Sequence, residues 1–278
     1  MNNLLCKTIL AATVVIGLTG TANAGPIFLT GHDPDFHTQP GLGLGDTLLA
    51  TGLRYVTGGT YNDSNPSTKK FLWVENKAMS VQSGHVRGVN SLDDVGATAA
   101  NFDWVDAAGF ATANLSDYSA IAIASSFGGM LTRAELDGLI GRKLDIETFI
   151  NSGGGLFASS ECYPCGANLM AGSTAPDLFG FLPVVVSSIG ANPPFSVTTF
   201  GASLGLTNAD VNDPTHNSFG LVGGLNVVDT DAAGRATTLA GNVKVGGGGF
   251  TPVPEPTSIV LLGLGLAGLA ASRYKSRA

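Results

Sequence analysis

The sequence predicts an α/β protein: an open, mostly parallel sheet followed by a β-rich C-terminal part. Three observations predict it. Several four- to seven-residue runs are apolar throughout, as strands covered on both faces of a parallel sheet must be. Between two of these runs lies a segment of helical period that starts at a capping box. Beyond Phe181 the pattern shortens to strand-like pieces without helical period.

Taken in order, Pro26 to Thr30 reads as the first strand. Asp46 to Val56 follows as a helix that turns Leu48, Leu49, Leu53 and Val56 inward. Phe71 to Val74 is a second strand, and Ser119 to Ser125 is a strand buried on both faces. Thr132 and Glu135 have capping-box spacing, and Leu136, Leu139, Ile140 and Ile150 keep one helical face up to Asn151-Ser152-Gly153. Gly155 to Ser159 returns as another buried strand. The later pieces are Val184 to Ser187, Ser196 to Phe200, Leu225 to Val228 and Ala236 to Ala240.

Composition bounds the class. Of 278 residues, 44% are apolar and 13% charged, against roughly 25% charged in an average globular chain. That mixture excludes a charged disordered chain. Three cysteines exclude a disulfide-dense scaffold, and 39 glycines imply many turns and close backbone approaches.

The two ends read as targeting segments. Lys7, the apolar run Ile9 to Leu18 and the small-x-small Ala22-Asn23-Ala24 form a signal peptide over 1–24, cut after Ala24 by signal peptidase. Residues 25–245 are then the exported domain, and 246–253 a glycine-rich linker. Pro254-Glu255-Pro256 opens the last segment, 254–278. A charge-free run forms a membrane-spanning helix over 257–272, and Arg273, Lys275 and Arg277 close the chain. This tail resembles the PEP-CTERM sorting signal, with Pro254, Glu255 and Pro256 at the motif positions and Arg273 opening the basic end. The resemblance implies an exosortase as processing partner, in a Gram-negative bacterium that makes extracellular polysaccharide.

Without Lys7, Arg273, Lys275 and Arg277, the 14 basic residues fall by four to 10 against 21 acidic ones, a net charge near −11. With no basic stripe to displace counterions from phosphates, nucleic acid is excluded as a partner.

Residues 119–160 resemble the equivalent crossover of class I glutamine-amidotransferase-like proteins. The likeness rests on Tyr118-Ser119-Ala120-Ile121-Ala122-Ile123 and on Gly153-Gly154-Gly155-Leu156-Phe157-Ala158. It implies a flavodoxin-like layout. Catalytic members place a cysteine at the turn after the second strand and pair it with a later histidine. Here the turn reads Ser159-Ser160-Glu161-Cys162 and the later histidine is His216, without the G-x-C-x-G and histidine-x-glutamate patterns, so the resemblance does not bring the catalytic set.

Three constellations are candidates for chemistry. His32-Asp33-Pro34-Asp35-Phe36-His37 follows the first strand, where open α/β sheets bind ligands. His32, Asp33, Asp35 and His37 could hold a divalent metal ion or a polar ligand; the plainer reading is a loop in which Asp33 and Asp35 cap turns and the histidines are exposed. Cys162 and Cys165 read most simply as a local disulfide in an oxidising compartment, the alternative being a reactive thiol. Ser159, Glu161 or Cys162 with His216 would make a nucleophile and base, with Asp213 as a candidate orienting acid.

The expected function is that of an exported cell-surface or extracellular-matrix protein that binds a ligand or polysaccharide at the first-strand crevice. The alternative is a hydrolase or amidotransferase-like enzyme working at the 159–162 turn with His216. A further alternative is ice binding, for which the regular threonine array is absent from the sequence.

Overall fold

The structure, a computed structural model, describes residues 24–38, 46–63, 65, 68–77, 88–126, 131–159, 178–182, 188–212, 217–220, 223–246 and 249–252. Its strands are β1 Pro26–Thr30, β2 Phe71–Val74, β3 Phe102–Val105, β4 Ala120–Ile123, β5 Gly155–Ala158, β6 Ser188–Gly190, β7 Ser196–Val197, β8 Asn217–Phe219, β9 Asn226–Thr230, β10 Ala236–Gly246 and β11 Gly249–Pro252. The helices used below are α1 Pro34–His37, α2 Asp46–Thr57, α3 Ser91–Asp94, α4 Ala107–Thr112, α5 Arg133–Gly141, α6 Lys143–Asn151, α7 Thr199–Ser203 and α8 Asn208–Val211.

The eleven strands join in the order β3-β2-β4-β5-β1-β10-β8-β6, with β9 and β11 on β10 and β7 on β9. Pairing is parallel from β3 to β1 and antiparallel everywhere beyond it. The expected mostly parallel sheet is therefore half of the truth: one parallel block is sealed along β1 by an antiparallel one. The flavodoxin-like order 2-1-3-4-5 is not reproduced either. Counted from β2, the first four strands run 2-1-3-4, and the N-terminal β1 occupies the fifth place beside β5.

Strand alternation builds two cores. Ile27, Leu29, Leu72, Val74, Ile121, Ile123, Leu156 and Ala158 face one side, where Phe110 of α4, Leu136 and Leu139 of α5, and Ile146, Phe149 and Ile150 of α6 cover them. The intervening Phe28, Phe71, Trp73, Ala120, Ala122 and Phe157 face the other, under Leu48, Leu49, Leu53 and Val56 of α2. Each large side chain so buried contributes roughly 1.5–3 kcal/mol. Gly52 lets α2 sit close, since a Cβ there would stand 2.5 Å from the Phe157 ring.

Three local expectations are corrected. The single helix from Thr132 to Ile150 is broken at Arg142, whose φ of −105° and ψ of 21° leave the helical region. The Arg142 guanidinium donates to Phe110 O at 2.6 Å and Ala113 O at 2.9 Å, so the break satisfies the open carbonyls at the end of α4. Ser196 to Phe200 is a strand only over Ser196–Val197, because Thr198 caps α7 by accepting from Gly201 N. The expected linker 246–253 starts inside the sheet: Gly249–Pro252 pairs back on Val243–Gly246 as a hairpin arm. Val184 to Ser187 lies outside the described residues, as do Ser160, Glu161, Cys162, Cys165, Asp213 and His216, and the ends 1–23 and 253–278. Among the described residues no helix is long and apolar enough to cross a membrane.

Candidate functional site

The carboxyl ends of the parallel strands gather an unusual set of buried polar side chains. Gly31 leaves β1 with its N–H on Thr237 O at 2.8 Å, and a Cβ at this position would fall 2.1 Å from Asn217 O. That close approach turns the next residues inward. His32 is fully buried, its Nε2 2.9 Å from Asp229 Oδ2 and its ring edge-on to Phe195. The same Asp229 oxygen accepts from the Thr237 hydroxyl. One turn on, His37 Nε2 lies 3.3 Å from Asp33 Oδ1, and Asp35 Oδ2 accepts the Ser125 N–H at 2.8 Å.

Of these four loop residues, His32 thus goes to Asp229 and Asp35 to Ser125, while Asp33 and His37 face each other. Among the described residues no three histidine, cysteine, aspartate or glutamate side chains converge in a manner that could hold a metal ion. His32, Asp33 and Asp35 are buried, contrary to an exposed loop. Ser159 is also buried; its hydroxyl donates to Ile123 O at 3.1 Å, an arrangement that anchors the strand end.

Two further acids complete this edge: Glu75, which the sequence did not single out, and Glu135, which it marked only as a helix cap. Glu75, directly after β2, accepts from Trp73 Nε1 and from Val89 N, both at 2.7 Å on Oε2. Gly88 lies against it, and a Cβ there would stand 2.1 Å from Oε1. Glu135 caps Thr132 at the start of α5 and accepts from Asn76 Nδ2 and Ala107 N, each at 3.2 Å. Burial pushes Glu75 up to about 8, with the nearby Asp35 and Glu135 charges adding to it against the pull of the Trp73 and Val89 hydrogen bonds. Burial likewise raises Asp35 to about 7, opposed by Ser125 and helped by Asp33. Asp35 Oδ1 has no hydrogen-bond acceptor or donor beside it among the described residues, which suits a neutral carboxyl. The one sequence signal for Glu75 is an acid placed immediately after an all-apolar strand.

At the opposite, amino edge of the same strands a cavity of about 770 Å³ opens. Its walls come from segments that precede β1, β2, β4 and β5, among them Lys69, Ser116, Tyr118, Ser119, Arg142 and Thr148. Gly153 and Gly154 form part of its lip; Gly153 has φ +101°, and a Cβ on Gly154 would lie 2.3 Å from the Phe149 ring. Lys69 Nζ donates to Ser116 O at 2.6 Å, and Arg142 Nε to Asp145 Oδ2 at 2.8 Å. A volume of this size is in the range of small-ligand clefts. Sequence reading missed this site because its residues are scattered over four connections.

The fold is thus an α/β layer protein with a closed polar edge and an open one. Comparison with known proteins adds the destination: residues 252–274 match the PEP-CTERM protein-sorting motif. The motif marks an exported protein that an exosortase processes at the cell surface. No curated protein and no solved structure matches the chain.

Proposed function

We propose that this protein is a non-enzymatic binding module of the cell surface, and that it holds extracellular polysaccharide in the amino-edge cleft. Signal peptidase releases it after Ala24, and the C-terminal helix holds it in the envelope until the exosortase acts. The observation that carries the reading is the contrast between the two edges. At the carboxyl edge Ser159, the catalytic candidate among the described residues, and the ligand candidates His32 and Asp35 are buried and bonded to the protein itself. The amino edge instead presents hydroxyl and cationic groups and the Tyr118 ring around an open volume of about 770 Å³. Such a mixture suits a sugar, whose hydroxyls need polar partners and whose C–H faces need an aromatic or apolar wall. The expected binding site thereby moves from the first-strand crevice to the other end of the strands.

The test is affinity electrophoresis of the mature protein through gels carrying neutral and acidic polysaccharides. Retardation in at least one gel, lost in Ser152→Trp, is the expected result; Ser152 is an exposed residue of the cleft wall, so the indole blocks the cleft without disturbing the core. Equal mobility in every gel overturns the reading.

A further inference from the structure

We infer that the amino-edge cleft selects saccharides bearing a carboxylate, with Lys69 as the residue that reads the acid. The inference rests on the saccharide reading above; the acid preference comes from the charges around the cavity. Among the described residues three charged groups line it: Lys69, Arg142 and Asp145. Arg142 and Asp145 neutralise one another at 2.8 Å. Lys69 has a main-chain carbonyl, Ser116 O, as its partner, and among the described residues no carboxylate compensates its charge. Its neighbour Lys70 shows the contrast, being paired with Asp103 at 2.7 Å and absent from the cavity wall. A domain near −11 that keeps an unneutralised ammonium at the mouth of a cleft has a local field opposite to its overall one.

Lys69 is an exposed residue, and its 2.6 Å bond to Ser116 O places Nζ beside the turn before β4. Around it, Thr148 and Ser119 donate their hydroxyl protons to Leu144 O and Lys70 O. Their oxygens are therefore left as acceptors for sugar hydroxyls. One cation among hydroxyl acceptors matches a sugar acid, which offers one carboxylate and several hydroxyls within a single ring. A free sugar acid and a polymer both present such a carboxylate, and both are included in the test.

The experiment measures binding of the mature protein to alginate and to the same polymer after its carboxyl groups have been reduced to alcohols. Tighter binding to alginate is expected, with Lys69→Gln weakening it about tenfold and leaving the reduced polymer unaffected. Lys143→Gln, which removes a charge outside the cavity wall, is expected to change neither. Competition by free glucuronate would place recognition in a single sugar acid; competition only by oligomers would place it in a longer stretch, and either supports a carboxylate reader. Equal binding of both polymers, or equal weakening by Lys69→Gln and Lys143→Gln, overturns the inference while leaving the saccharide reading standing. Binding of neither polymer, nor of any neutral glycan, sinks the saccharide reading itself.

Discussion

Glu75 offers a sharp test of the carboxyl edge. In the folded protein it keeps its proton up to about 8, against 4.5 for a free glutamate. Between those two values the native state binds one more proton than the unfolded chain, so stability falls as pH rises through this window. At 1.36 kcal/mol per pH unit the whole span is worth at most about 5 kcal/mol. Glu75→Gln keeps a carbonyl oxygen for Trp73 Nε1 and Val89 N but removes the ionisation. Urea unfolding at pH 5, 7 and 9 is the assay. Wild type should lose several kcal/mol from pH 5 to 9, the variant should lose distinctly less, and the two should lie within about 1 kcal/mol of each other at pH 5. Parallel profiles, or a variant already crippled at pH 5, would refute a neutral Glu75.

Two further substitutions probe the frame. Asp229→Ala removes a buried hydrogen-bond partner of His32 and of the Thr237 hydroxyl, and should lower stability by about 1–3 kcal/mol, the usual cost of depriving buried polar groups of a hydrogen bond; a loss under about 0.5 kcal/mol would show the contact to be incidental. Gly25→Ala would set a Cβ 1.8 Å from Gly154 O, so about 1–3 kcal/mol of stability should be lost, and N-terminal sequencing of the exported wild type should begin at Gly25; an unshifted melting temperature would mean this contact is looser than described.

What could be read from sequence and what could not divides along physical lines. β1, β2, β4 and β5 were legible because a strand covered on both faces carries its own signature, an unbroken apolar run. α2 was legible from its inward stripe, and the start of α5 from Thr132 and Glu135, whose reciprocal capping is local. The edge strand β3 was missed because its half-exposed Phe-Asp-Trp-Val does not read as a buried run. The break at Arg142 was hidden because its cause lies about thirty residues away, in the carbonyls of Phe110 and Ala113. For the same reason no pattern announced that His32 meets Asp229, 197 positions further on.

Alone, the sequence determined the destination and the local elements. The sorting motif is a linear signal, legible without any fold, and helices and buried strands follow from periodicity and capping within a few residues. Tertiary structure alone decided which strand lies beside which, which carboxyls lose their water, and where a cleft opens. Those depend on pairing between segments far apart in the chain: β1 against β5 and β10, Glu75 beneath Gly88, Lys69 beside Ser116. Solvation and charge at a site are set by everything that packs around it, and that environment has no linear signature.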